Sequence, residues 1–255
     1  SVRGLKTYFY TREGTVKAID DISFDIKRGE IFGLVGESGC GKTVTSLSII
    51  RLVPDPPGKI IDGDILFEGE NLLIKNKHDM RDIRGGKISM IFQDPSSSLN
   101  PILTIGDQVM ESIQKHQGLN KKQAEEKAIE ILDSVGISNA SLRLREYPFQ
   151  FSGGMRQRIM ISIAISCNPS LLIADEPTTN LDVTIQAQIL SLIKKLSESK
   201  GISVLLIAHN LGIIAWLCDR VAVMYSGKIV ECADTVTIFS DPKHPYTIAL
   251  LECVP

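Results

Sequence analysis

Apolar and polar positions follow two periods along this chain, and the period changes from segment to segment. Ile31–Val35 is an unbroken apolar run, as a strand buried on both faces requires. Leu171–Ala174 and Val204–Ala208 repeat that pattern, and Ile88–Phe92 is a further β-type run. Leu5–Tyr10 and Ser23–Ile26 predict short strands near the start, with a turn at Arg28-Gly29. Elsewhere the period lengthens. In Lys121–Val135, residues Ala124, Ala128, Ile131, Leu132 and Val135 fall on one face of a helix. Thr43–Leu52, Thr104–Gln117, Arg156–Cys167, Asp182–Ser199 and Leu211–Leu217 also read as helices, the first closed by Pro54. Arg220–Tyr225 and Lys228–Glu231 predict a hairpin about Ser226-Gly227.

Strands that alternate with helices predict an α/β fold, with parallel strands and helices on both faces. The stretch 95–156 carries no strand pattern and reads as a helical insert. Composition narrows the function classes. The chain has 255 residues, with 28 Lys+Arg against 30 Asp+Glu and a net charge of −2. That balance excludes broad electrostatic binding to nucleic acid or anionic lipid. At 43% hydrophobic and 23% charged residues, the chain is neither disordered nor fibrous. Cys40, Cys167, Cys218, Cys232 and Cys253 are scattered without C-x-x-C spacing, so neither a disulfide framework nor a zinc site is expected. A reducing, cytosolic compartment fits this usage. No run approaches the roughly 20 apolar residues of a membrane span. Ser1-Val2-Arg3-Gly4 leads into polar and charged residues rather than a signal-peptide core, so the chain is expected to be neither exported nor inserted by itself.

Gly36-Glu37-Ser38-Gly39-Cys40-Gly41-Lys42-Thr43 fits G-x-x-x-x-G-K-[ST] between a predicted strand and a predicted helix. Glycines let consecutive main-chain N–H groups converge on phosphate oxygens, and the helix N-terminus adds positive potential there. In this motif the lysine, Lys42, reaches the β- and γ-phosphates and the Thr43 hydroxyl ligates Mg²⁺. Leu171–Ala174 leads into Asp175 and Glu176. Asp175 at a strand end suits a Mg²⁺ shell, and Glu176, one residue on, points elsewhere and can polarise an attacking water. His209 and Gln93 each follow a β-type run. His209 suits a γ-phosphate contact, and the Gln93 amide suits Mg²⁺ or the water. Phe151-Ser152-Gly153-Gly154-Met155 precedes the helix at 156. Ser152 can cap it while Gly153 and Gly154 open the backbone to an anion. Asn76-Lys77-His78-Asp79 matches a guanine-reading pattern, but it stands in a polar segment and after no buried strand, so it reads as coincidence.

Together these residues resemble the nucleotide-binding subunit of an ABC transporter. Walker A is Gly36–Thr43, the Q-loop residue Gln93 and the signature Phe151–Met155. Walker B is Leu171–Asp175 with Glu176, the D-loop Asn180-Leu181-Asp182 and the H-loop His209. The resemblance covers essentially the whole chain. Ile91–Pro95, Leu99-Asn100-Pro101, Gly153–Arg158, Asp182–Gln188 and His244-Pro245-Tyr246-Thr247 are similar to the oligopeptide/dipeptide importer branch, some of whose members carry nickel or other solutes.

The resemblance implies a P-loop NTPase (ABC ATPase) α/β fold with an N-terminal antiparallel β subdomain and an inserted α-helical subdomain. It implies a RecA-like and β core at 1–94 and 157–230, the insert at 95–156, and the start of a C-terminal extension at 231–255. It implies ATP and Mg²⁺ as ligands. Glu176, His209, Gln93 and Lys42 would be catalytic, and Thr43, Gln93 and Asp175 would hold the metal. Gly36, Glu37, Ser38, Gly39, Cys40, Gly41, Lys42, Thr43 and Gln93 would contact nucleotide. Ser152, Gly153, Gly154, Met155 and Asp182 would do so in a partner subunit. Two subunits would pair head to tail, sandwich each ATP and drive transmembrane permease subunits fed by a solute-binding protein, at the cytoplasmic face of the membrane. No nucleic-acid partner is implied.

An aromatic that stacks on adenine is expected near 8–10. Spacing favours Phe9 over Tyr8 and Tyr10. Phe151 and Asn180 depart from the commoner Leu and Ala. Longer relatives carry a cysteine-bearing tail that in some holds an iron–sulfur cluster; Cys253 alone cannot, so none is expected. A non-transport ABC ATPase is disfavoured because long coiled-coil insertions and a second cassette are missing from the sequence, and an adaptor without turnover because Glu176, Lys42 and His209 are all present.

Overall fold

The computed structural model describes residues 1–94, 98–179 and 181–252. Pro95, Asn180 and Cys253, each singled out above, lie outside the described residues. The chain forms two compact units, Ser1–Met80 with Ser203–Pro255, and Arg81–Ile202.

The first segment opens with β1 (Val2–Thr11) and β2 (Gly14–Phe24), an antiparallel pair. β3 (Ile31–Val35) follows and is buried along its length, as its apolar run predicts. Helix α1 (Lys42–Ile49) stops short of the expected Leu52. Arg51 turns left-handed (φ 52°), and the N–H groups of Arg51 and Leu52 close back on the Ser48 and Leu47 carbonyls, a Schellman end formed ahead of Pro54. β4 (Gly58–Phe67) pairs with β1, and the two-residue β5 (Glu70–Asn71) pairs with β4. The result is a four-stranded antiparallel sheet in the order β2-β1-β4-β5. In the hairpin between β1 and β2, Tyr8 donates to Asp20 at 2.8 Å. Helix α2 (Lys77–Ile83) follows, its first amides at His78 and Asp79 donating to Asn76 Oδ1. The guanine-like pattern is thus a helix start.

In the Arg81–Ile202 unit, β6 (Ile88–Ile91) runs parallel to β7 (Leu171–Asp175), with Ile91 beside Ala174. Every regular element described between them is helical, as expected for 95–156. α3 (Ile105–Gln117) is capped by Thr104, which accepts from the Asp107 amide. α4 (Lys121–Ser134) starts on a reciprocal Asn120–Gln123 capping box and buries Ala124, Ala128, Ile131 and Leu132. The short α5 (Ala140–Arg143) precedes α6 (Gly153–Ile165). α6 begins three residues before the expected Arg156, because Ser152 accepts the Met155 amide at 3.4 Å and makes Gly153 and Gly154 the first helical residues. α7 (Val183–Lys200) is capped by Asp182.

The chain then returns to the first unit through β8 (Ser203–Ile207), α8 (Leu211–Leu217), β9 (Arg220–Tyr225) and β10 (Lys228–Asp234). β3 pairs in parallel with both β8 and β9, and β10 is antiparallel to β9. Ser226 (φ 46°) and Gly227 (φ 79°) make the hairpin turn with both central residues left-handed, the type I′ signature. α9 (Thr235–Ser240) and α10 (Pro245–Glu252) close the described chain.

Candidate functional site

The phosphate-type loop joins β3 to α1. A Cβ on Gly36 (φ 148°) would stand 2.1 Å from the Met224 carbonyl oxygen, and one on Gly41 (φ 110°) 2.3 Å from that of Ala18. Both main-chain positions are pressed against strands, so only glycine fits. Gly39 (φ 81°) meets nothing, and its glycine serves the backbone angle alone. Glu37, Ser38 and Gly39 form the exposed tip, whereas Cys40 and Lys42 are buried. Lys42 Nζ donates to the carbonyls of Gly36 at 2.7 Å and Glu37 at 2.8 Å. The same ammonium lies 3.7 Å from Cys40 Sγ. Burial pushes the Cys40 thiol up despite that charge, so it remains a neutral thiol. Thr43 sits in the first turn of α1, exposed.

The acidic pair is set by the parallel ends of β6 and β7. Asp175 is 2% exposed. Glu176 takes φ 46°, a left-handed angle uncommon for a non-glycine residue. That angle turns the chain, leaving Asp175 buried while Glu176 is only half-buried. Glu176 Oε2 accepts from Gln93 Nε2 at 2.9 Å and from the Thr179 hydroxyl at 3.0 Å. The fold therefore brings Gln93 to Glu176, and Thr179 joins them although no sequence pattern points to it.

The second glycine motif is a helix start capped by Ser152, as expected, but it begins three residues earlier than the expected Arg156. Its glycines lie inside α6. A Cβ on Gly154 would stand 2.7 Å from Ile185 Cγ2, and one on Gly153 3.6 Å from Leu181 Cδ2. Gly154 is thus needed for α6 to pack against α7. Phe151 is buried, with the Arg143 guanidinium 5.4 Å above its ring, so the larger aromatic is accommodated. Asp182 accepts the Ile185 amide at 3.0 Å, so its carboxylate is a helix cap. Arg158, which no motif marks as a tie, donates to the Val135 carbonyl and to Gln188 Oε1 at 2.9 Å, linking α4 to α7.

His209 is exposed just after β8, followed by Asn210, which caps α8 through the Gly212 amide at 2.8 Å. Of the three aromatic candidates, Tyr8 is tied to Asp20 and has the Lys17 ammonium 5.5 Å from its ring centroid. Phe9 is half-buried against Gly58, and Tyr10 is 52% exposed.

These residues fit a nucleoside triphosphate and Mg²⁺. Gly36 and Gly41 admit no Cβ and a buried ammonium lies inside the loop, while Thr43 in the one unit and Asp175 in the other each carry the kind of hard oxygen donor Mg²⁺ prefers.

A family model described as ABC transporter matches residues 19–179, and one described as the oligopeptide/dipeptide transporter C-terminal region matches 230–255. The dipeptide transport ATP-binding protein DppD of Bacillus subtilis is 52% identical over 100% of this chain and 76% of its own length. A probable peptide ABC transporter ATP-binding protein, y4tR, of Sinorhizobium fredii is 51% identical over the same shares. Among solved structures, the dimeric ATP-binding cassette MJ0796 in a post-hydrolysis state with ADP and Pi superposes with a TM-score of 0.81 at 25% identity. That match covers 92% of this chain and 97% of the other.

Proposed function

We propose, from the premise that this chain belongs to the ABC transporter ATP-binding family, that it hydrolyses ATP to power uptake of di- and oligopeptides. The names of relatives about half identical over the whole chain support the peptide, as does the C-terminal family match. The observation that carries the hydrolysis is the Glu176 carboxylate, held by Gln93 and Thr179 next to buried Asp175. When bound, Mg-ATP supplies the phosphoanhydride bond and a cation that neutralises developing charge on the phosphoryl oxygens.

The residues divide the work. Lys42 and the amides of Gly36–Thr43 hold the phosphates. Thr43, Asp175 and Gln93 ligate the metal, Glu176 orients and polarises the water, and His209 contacts the γ-phosphate. Phe9 stacks on adenine. The chain pairs with a second ATPase subunit, to whose nucleotide it presents Ser152–Met155 and Asp182. The pair drives permease subunits, supplied by a solute-binding protein, from the cytoplasmic face of the membrane. Residues 95–156 form the part that meets the permease. No described helix is long and apolar enough to cross a membrane.

Glu176→Gln keeps the side chain's shape and removes its basic oxygen. That variant should accumulate as a dimer in Mg-ATP, seen as a doubling of mass in size-exclusion chromatography with light scattering. A variant that stays monomeric while binding ATP sinks the pairing model.

A further inference from the structure

The His244-Pro245-Tyr246-Thr247 segment has no role in the function proposed above, yet it reaches the phosphate loop. We propose that this segment is a brace on the loop, and that Tyr246 is a positioning residue for nucleotide binding. This rests on Gly36–Thr43 being the ATP cradle.

The Tyr246 hydroxyl accepts the main-chain N–H of Glu37 at 3.1 Å. Lys42 Nζ donates to the carbonyl of that same residue at 2.8 Å. Both polar main-chain groups of Glu37 are therefore held, one by the C-terminal segment and one by the lysine that binds phosphate. Glu37 lies at the exposed tip of the loop, where its N–H would otherwise face water. Fixing it fixes the limb on which Lys42 rests.

Each residue of the segment contributes to aiming that hydroxyl. The Glu231 carboxylate on β10 accepts the amides of Lys243 at 2.7 Å and His244 at 3.0 Å, which sets the turn before α10. His244 Nδ1 accepts the Tyr246 amide at 3.1 Å and so caps α10. Pro245 takes the first helical position, where no N–H is required. Thr247 is 1% exposed and anchors the helix. The Tyr246 ring packs against Tyr225, with centroids 4.5 Å apart and planes tilted by 45°. Tyr225 leads into the turn at Gly227, whose N–H donates to the Cys40 carbonyl at 3.0 Å. The brace thus meets the loop at Glu37 and, through that turn, at Cys40.

Tyr246→Phe in the full chain keeps the ring contact and removes the acceptor. Losing one hydrogen bond to a ligand-binding loop should raise the Kd and KM for ATP about three- to tenfold. The kcat should stay within about twofold, because no group at the reacting atoms changes. By hydrogen exchange, a peptide covering Gly36–Gly41 should exchange faster in the variant without nucleotide. Wild-type ATP affinity and wild-type exchange in Tyr246→Phe overturn the brace, and so does a fall in kcat without a change in KM. Failure of the cradle itself reads differently: Lys42→Ala then binds ATP as the wild type does, whatever Tyr246→Phe shows.

Discussion

Lys42 is 5% exposed and spends its donors on two carbonyls of its own loop. A buried ammonium is costly unless its hydrogens are satisfied, and here the loop satisfies them. In the function proposed above, the same donors would stabilise charge on phosphate oxygens during hydrolysis. Lys42→Ala should therefore lower ATP turnover by about 100-fold or more in a phosphate-release assay. Wild-type turnover in that variant would remove Lys42 from the mechanism. Glu176 shows a second residue-scale device. Its left-handed φ separates two consecutive acids into a buried one and a half-buried one, so neighbouring carboxylates can take different roles. Motif spacing alone makes Lys42, Asp175 and Glu176 legible in the sequence. Thr179 and Tyr246 are not, because a hydroxyl partner carries no spacing signature and Tyr246 meets a residue 209 positions away.

Among the elements, those with one dominant signal are the legible ones. The apolar run at Ile31–Val35 and the one-faced helix from Lys121 appear as predicted. β4 escapes the pattern because, of its ten residues, only Gly58 and Ile65 are buried, so its sequence shows no apolar alternation. The start of α6 lies earlier than the sequence predicts because Gly-Gly reads as a break, whereas the Ser152 cap and the packing of Ile185 make both glycines helical. That packing is testable. Gly154→Ala should destabilise the protein by about 1–3 kcal/mol in thermal or denaturant unfolding, since a stiff β-branched side chain cannot yield. Adding Ile185→Ala should recover part of that loss. Equal losses in the single and double variants would show that Ile185 does not set the constraint.

At the scale of the whole molecule, the response to acid follows from groups shifted on folding. Burial, with a smaller push from Lys115, lowers His116 below its ordinary 6.5. The unfolded chain therefore binds that proton first, and stability falls as pH drops through 6.5. Three carboxyls are shifted down as well. Asp20 is held low by the Tyr8 hydroxyl and Glu130 by Lys127. At Glu231 burial pushes upward, but the Thr247 hydroxyl and the Lys243 and His244 amides together outweigh it. Their contribution is present above the ordinary 3.8 and 4.5 and is lost as pH falls through the lower folded values. Melting temperature measured against pH should thus decline first near 6.5 and again below 4.5. His116→Gln should flatten only the first decline; a first decline that persists in that variant refutes the assignment. Across the chain, the glycines also divide by the kind of atom each one faces. Gly36 and Gly41 face main-chain carbonyls, which no side-chain change can remove, whereas Gly154 faces the side chain of Ile185. In a genetic selection for restored transport, losses at Gly36 or Gly41 should return only by reversion at the same codon, while losses at Gly154 should also yield second-site suppressors at codon 185.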